Sequence, residues 1–220
     1  MAARRTYGDQ CGVARALDVV GERWALLVVR ELLFGPKRFT DLRVGLPHVS
    51  ADVLSQRLRE LEQDGIVRRR TLAPPAGSRV YELTEWGHEL EPVVLALGRW
   101  GSGAPFPPGE AELGTDSMVI ALMTTFDPAA ADGLDATYEL RLDGQRFRAR
   151  AAGGRLEIAR GEEPEPDATI ETDPGTLAAM LWHGRRLADG LRSGEVEIGG
   201  SRPAVTRFLR LFSVPEPDDR

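Results

Sequence analysis

Apolar positions in the first hundred residues recur at helical spacing. Val13, Leu17 and Val20 fall at i, i+4 and i+7 and predict a first helix with one apolar stripe. Residues 22–33 are apolar nearly all round (Trp24, Leu26, Leu27, Val28, Val29, Leu32, Leu33), the pattern of a buried central helix, and Gly35-Pro36 ends it. A short helix is predicted over 39–44, then a break at Gly45-Leu46-Pro47, then a helix over 50–64 with Ser50 as N-cap and Gly65 just past its end. Strands at 66–72 and 79–83 form a hairpin with a stiff tip over 73–78. Thr84 caps a further helix that carries Leu90, Val93, Val94, Leu97 and Trp100 on one face. That stripe needs a partner, either the domain's own core or a second subunit.

The second half has a different pattern. Short apolar or alternating runs at 118–126, 136–142, 145–151 and 155–160 read as strands, with Asp143-Gly144 and Gly153-Gly154 as tight turns between the last three. An antiparallel meander follows. A strand over 167–172, a helix over 173–182 capped by Asp173, a strand over 194–198 and a closing helix over 202–212 with Val205, Phe208, Leu209 and Phe212 complete an α+β unit. Gly and Pro over 101–117 mark a linker, so the reading is a domain over 1–100, a linker over 101–117 and a second domain over 118–215.

Composition narrows the function classes. The chain has 220 residues, 42% hydrophobic and 28% charged, which suits two modest globular cores. Its apolar runs stop far short of the roughly 20 residues of a membrane span, and the N-terminus lacks an apolar signal region. One cysteine, Cys11, forms no intrachain disulfide. A cytoplasmic protein without membrane contact is the expectation. The net charge of −6 argues at first against nucleic acid, but it is unevenly spread. Residues 1–100 sum to +2 and 101–220 to −8, and within 36–80 nine basic residues face five acidic ones.

A helix-turn-helix needs a support helix, a tight turn and a second helix with one apolar face and one face free to enter a major groove about 12 Å wide. The 39–64 segment meets these demands. Leu54, Leu58 and Leu61 form the buried stripe; Asp52, Ser55, Gln56, Arg59 and Gln63 gather opposite. With Ser50 and Ala51 at the helix start, Asp52, Ser55, Gln56 and Arg59 are the candidate base readers, Gln56 suited to adenine and Arg59 to guanine. The same polar face is what any solvated surface helix presents. The hairpin adds Arg68, Arg69, Arg70 and Arg79, and the support helix is preceded by Lys37 and Arg38, all six candidate phosphate contacts. Helix-turn-helix followed by a basic hairpin is the winged-helix order.

These residues resemble the HxlR-type winged helix-turn-helix regulators, relatives of the MarR group. The resemblance runs through the segment from Cys11-Gly12-Val13 to Glu22-Arg23-Trp24, then Arg30-Glu31-Leu32, Arg38-Phe39-Thr40-Asp41-Leu42, Leu54-Ser55-Gln56-Arg57-Leu58, Asp64-Gly65-Ile66-Val67, Tyr81-Glu82-Leu83-Thr84 and Trp100-Gly101. It covers about 7–101. It implies a cytoplasmic homodimer that binds double-stranded DNA at a pseudo-palindromic operator, usually as a repressor. Val13, Leu17, Leu90, Val94, Leu97 and Trp100 are the candidate dimer contacts. Gly12 and Ala51 stand where family members often have Pro; at the first helical turn Pro is merely favourable. Some members sense oxidants through a Cys at the place of Cys11, where Arg15 one turn on would favour a thiolate; the alternative is a small apolar residue buried near the dimer interface.

The second half resembles the sterol carrier protein-2 superfamily, through Tyr138-Glu139-Leu140, Phe147-Arg148-Ala149, Gly153-Gly154-Arg155-Leu156-Glu157-Ile158, Pro166-Asp167-Ala168-Thr169-Ile170 and Ser193-Gly194-Glu195-Val196-Glu197-Ile198-Gly199-Gly200. That resemblance implies a cavity for an apolar or lipid-like effector. Met118, Met123, Phe147, Leu177, Met180, Leu181, Leu187, Leu191, Phe208 and Phe212 are its candidate lining, and the same residues equally suit an ordinary core. Catalysis finds no support. His48, His88 and His183 lie in different elements without metal-ligand spacing, neither Ser102 nor Ser201 sits in a Gly-x-Ser-x-Gly elbow, and there is no phosphate-binding Gly-rich loop. No enzyme, metal or cofactor is expected. The reading is a homodimeric DNA-binding regulator with an effector domain; the alternatives are a lipid carrier that uses the winged helix for protein contacts, and a redox-responsive regulator through Cys11.

Overall fold

The computed structural model describes residues 6–73, 77–104 and 113–213. The centre of the predicted hairpin tip, the middle of the predicted linker (105–112) and the end of the predicted second domain lie outside these residues. The chain divides into two compact units, Met1–Val94 and Leu95–Arg220, with the division inside a helix.

In the first unit, α1 (Gly12–Val20) and α2 (Ala25–Leu32) precede α3 (Phe39–Gly45) and α4 (Ala51–Gln63). A hairpin of β1 (Val67–Thr71) and β2 (Arg79–Leu83) follows, then α5 (Glu85–His88) and the start of α6 (Glu91–Ser102). The core is built from Ala25, Val28, Val29 and Leu32 of α2, Leu42 of α3, Leu54, Leu58 and Leu61 of α4, and Ile66, Val67 and Val80 at the hairpin base. The helix predicted over 22–33 begins later because Trp24 takes a left-handed conformation, φ 78°, which a bulky side chain rarely adopts; the Arg23 guanidinium sits 5.2 Å from its ring centre. Leu27 is left exposed.

The single helix predicted after Thr84 is two. Thr84 caps α5 by accepting from Gly87 N at 3.0 Å, and a turn at Glu89-Leu90 intervenes before α6. Pro92 explains the restart: it supplies no N–H and is tolerated only in a first helical turn.

The second unit contains the rest of α6, then α7 (Thr115–Thr125), β3 (Asp135–Leu142), β4 (Gln145–Ala152), β5 (Arg155–Arg160), β6 (Ala168–Thr172), α8 (Pro174–Trp182), α9 (Leu187–Ser193), β7 (Val196–Gly200) and α10 (Arg202–Phe208). The strand predicted over 118–126 is the helix α7. Its apolar run, buried nearly all round at Met118, Val119, Ile120 and Leu122, has no period that separates a buried strand from a buried helix, and only its length and its Met, Ala and Leu favour the helix. α9 went unpredicted, and the closing helix ends at Phe208, before Leu209 and Phe212.

The expectation of an antiparallel sheet is also corrected. The five strands run in the order β5-β4-β3-β6-β7 and the sheet is mixed, because β6 lies parallel to β3 in the register Tyr138↔Ala168 to Leu142↔Thr172. The β3-β4-β5 part is the predicted meander, and both of its turns have positive φ at the two central residues, Asp143-Gly144 and Gly153-Gly154. From β5 the chain crosses back to the far side of β3 through 161–167. Glu139 holds that crossing. Buried in the central strand, its carboxylate accepts from Glu163 N at 2.9 Å and from Arg141 Nε at 2.6 Å. Burial pushes its pKa up, but the hydrogen bonds from Arg141 and Glu163 and the nearby guanidinium charges outweigh this and hold it below the usual range. α10 packs on β6 and β7, where Phe208 meets Tyr138 at 4.8 Å and Phe212 at 5.0 Å between ring centres.

Candidate nucleic-acid interface

The reading face of α4 forms because its two sides differ in burial. Leu54, Leu58 and Leu61 are at most 1% exposed, while Ser50, Asp52, Gln56, Arg59 and Gln63 are exposed and Ala51 and Ser55 half-buried. Ser50 Oγ accepts from Val53 N at 3.3 Å and starts the helix; Gly65, φ 73°, ends it. Gln56 Nε2 donates to Glu60 Oε1 at 3.0 Å, and Arg59 has no partner among the described residues. Arg57 turns inward. It is buried, donates to Glu60, and lies 3.5 Å from Glu22.

Three of the four hairpin cations are paired. Arg68 Nε donates to Glu82 Oε1 at 2.8 Å, and Arg70 lies 2.9 Å from the other oxygen of the same carboxylate. This follows from the register, in which Arg68 opposes Glu82 and Arg70 projects from the same face. Arg69, on the other face, donates through Nε and Nη2 to Glu62 at the end of α4, at 2.9 and 2.5 Å. The hydrogen bond from Arg69 holds the Glu62 carboxyl below its usual range, and in return Arg69 is raised. Arg38 and Arg79 are exposed and form no ion pair among the described residues.

Lys37 departs furthest from its expected role. Its ammonium turns into the domain, 2.6 Å from Glu31 Oε2, with side-chain exposures of 15% and 2%. The other oxygen of Glu31 accepts from Arg30 Nη2 at 2.8 Å. Backbone bonds of 2.9 and 2.8 Å join Lys37 to Tyr81 in β2. A Cβ at Gly45 would come within 2.0 Å of Glu31 Oε2, the oxygen that faces Lys37, so Gly45 lets the end of α3 rest on Glu31. One buried carboxylate thus ties α2, the base of the hairpin and the support helix together. Three glutamates, Glu31, Glu62 and Glu82, were missed as partners of the basic residues. Only Glu82 had a readable signal, its place opposite Arg68 when the hairpin is counted from its tip. Arg43 was also missed, an exposed residue on α3 without an ion pair among the described residues.

Of the candidate dimer contacts, Val13 (68%), Leu17 (43%), Leu97 (46%) and Trp100 (75%) are exposed, Leu90 is half-buried and Val94 is buried. Leu90 lines a groove in the first unit with Ala16, Val19, Val20 and Trp86. Cys11 is exposed at the start of α1, and its N–H donates to Asp9 Oδ1 at 2.8 Å. Of the candidate cavity residues, Met118, Phe147, Leu177 and Phe208 are fully buried and Met180 and Phe212 nearly so, whereas Met123, Leu181, Leu187 and Leu191 are half-buried. Among the described residues no group of His, Cys, Asp or Glu is placed to hold a metal, and no helix is long and apolar enough to cross a membrane.

A family model for the HxlR-like helix-turn-helix matches residues 19–105, from the end of α1 through α6. The chain is 37% identical over 93 residues to YdeP of Bacillus subtilis, an uncharacterized HTH-type transcriptional regulator, an alignment that spans 42% of this chain and 73% of YdeP. The chain belongs to the HxlR-like helix-turn-helix family. Another relative is YodB of B. subtilis, an HTH-type transcriptional regulator 38% identical over 85 residues, 39% of this chain and 76% of YodB. The solved structure of reduced YodB superposes with a TM-score of 0.39 at 34% identity, covering 46% of this chain and 100% of YodB. The relatives are transcriptional regulators, and a DNA-binding regulator is the function class of this HxlR-type chain.

Proposed function

We propose that this chain acts as a homodimeric repressor. α4 enters the major groove of a pseudo-palindromic operator and the β1-β2 hairpin rests on the flanking backbone. The observation that carries this reading is the α4 face, where Asp52, Gln56 and Arg59 stand clear of a core that buries Leu54, Leu58 and Leu61 of the same helix. Ser50, Ala51 and Ser55 complete the reading surface, Gln56 and Arg59 choose bases, and Arg38, Arg68, Arg69, Arg70 and Arg79 hold phosphates. The exposed apolar residues of α1 and α6, Val13, Leu17, Leu97 and Trp100, support pairing with a second copy. The second unit is read as a sterol-carrier-like effector domain that takes an apolar ligand among its sheet and helices. Exposed Cys11 supports an oxidant response as an additional input.

The test is fluorescence anisotropy with DNA from upstream of the protein's own coding region. Arg59→Ala should cost about 1–3 kcal/mol of operator affinity and relax the preference at one base pair, with thermal stability unchanged. Equal affinity of wild type and Arg59→Ala for operator, or no preference of the wild type over random duplex, would remove this reading.

A further inference from the structure

The acidic second unit carries one locally inverted patch. Residues 95–220 sum to −7, yet 198–215 contain three arginines and no acidic residue. Seven of the nine arginines from Arg141 to Arg192 lie within 3.4 Å of a carboxylate, Arg148 and Arg155 being the others. Arg202, Arg207 and Arg210 do not: they are exposed and have no ion-pair partner among the described residues. Helical spacing puts them on one side of α10 and its following turn, with Pro203 and Thr206, while Val205 and Phe208 are buried on the other. These five residues line a groove of about 570 Å³. Beneath the same helix, Tyr138 Oη is buried without a hydrogen-bond partner among the described residues, and its ring packs on Phe208. Burial raises the pKa of that phenol, the Asp167 charge adds to the rise, and the Arg207 charge opposes it.

Like charges close together repel, so these guanidinium groups, two on α10 and one in the turn after it and none with an ion-pair partner among the described residues, raise the free energy of the segment unless an anion joins them. Guanidinium forks match the oxygens of phosphate groups in pairs. The groove volume falls in the range of small-molecule sites, roughly 300–1,000 Å³. We propose that the outer face of α10, through Arg202, Arg207 and Arg210, binds a compact phosphorylated small molecule. A duplex is the poorer fit. It spreads its charge over a length much greater than the screening distance of about 8 Å, and so meets the net negative field of the whole unit, whereas a compact anion in contact with the arginines meets mainly their local field.

The experiment uses the full-length protein and pyrophosphate as probe, titrated calorimetrically at fixed ionic strength. Wild type should bind saturably, and Arg207→Gln/Arg210→Gln should weaken binding about tenfold or more. Arg207→Lys/Arg210→Lys, which keeps the charge and loses the fork, should fall between the two; a Gln pair that failed to fold would leave this Lys pair to decide, with unchanged affinity counting against the site. Absence of saturable binding to wild type, or equal affinity in wild type and the Gln pair, overturns the proposal. So does a loss of random-duplex affinity with a shallower salt dependence in the Gln pair, which would make this face a DNA contact instead.

Discussion

Replacing Lys37 by Met separates a cation that works on DNA from one that works on the fold. Met keeps most of the stem and removes the charge that lies 2.6 Å from Glu31. The carboxylate, 2% exposed, then retains only the Arg30 bond at 2.8 Å among the described residues. Removing one member of a fully buried pair costs about 3–5 kcal/mol, and a charged hydrogen bond contributes about 1.5–3 kcal/mol. Arg30 still compensates Glu31, and Lys37 is itself 15% exposed, so the lower figures apply and a loss of about 2 kcal/mol is expected. In urea this is a midpoint shift of about 1 M. A phosphate contact predicts something different: a fall of about 0.9 in the slope of log affinity against log salt, with stability unchanged. Lys37→Met should therefore lower the urea midpoint and leave the salt slope of DNA binding alone. In Glu31→Gln/Lys37→Met, where both charges are gone, much of the loss should return. A shallower salt slope with an unshifted midpoint would refute the internal role.

Glu82→Gln should free Arg68 and Arg70 for phosphate and raise random-duplex affinity up to about fivefold at low salt, since an exposed pair is worth about 0–1 kcal/mol; equal or weaker binding in an anisotropy titration contradicts this. Glu139, whose folded pKa is depressed, contributes stability that is present above the ordinary carboxylate value of about 4.3 and is lost as pH falls through the folded value. The stability gap between wild type and Glu139→Gln, measured by urea midpoints, should hold between pH 7 and 5 and close below pH 4. A gap that widened on acidification would show the sign to be wrong.

The winged helix was legible because each of its signals is local. Ser50 sits three residues before the N–H it accepts, Gly65 takes the φ only glycine adopts easily, and Leu54, Leu58 and Leu61 repeat at helical spacing. The second unit was less legible because its defining pairing is not local. Residues 138–142 pair with 168–172 across an intervening hairpin and a crossing loop, and the buried Glu139 that fastens the crossing looks in sequence like any strand carboxylate. α7 was misread for a related reason, since burial on all sides erases the period that distinguishes helix from strand. For the candidate interface, residue type was a good guide to exposure on α4 and a poor one for the cations. Nothing local distinguishes Lys37, folded inward on Glu31, from Arg38 beside it, which is exposed.

The same ion pairs change what the uneven charge distribution means. The basic excess over 36–80 suggests a surface ready for phosphate, but Arg68, Arg69 and Arg70 each rest against Glu82 or Glu62, and Lys37 is spent inside the domain. Binding by the hairpin is then an exchange: each arginine leaves a carboxylate for a phosphate, and the carboxylate is rehydrated. Exposed pairs are weak, about 0–1 kcal/mol each, so the exchange is affordable, but it subtracts from the gain at every contact. Random DNA offers that exchange and the backbone contacts of Arg38 and Arg79. An operator adds base contacts from Gln56 and Arg59, and Arg59 gives up no ion pair among the described residues to make them. Pairing the hairpin cations therefore lowers non-specific and specific affinity by the same factor at the contacts they share; it leaves the ratio between them to Gln56 and Arg59 and shortens the time spent on random DNA.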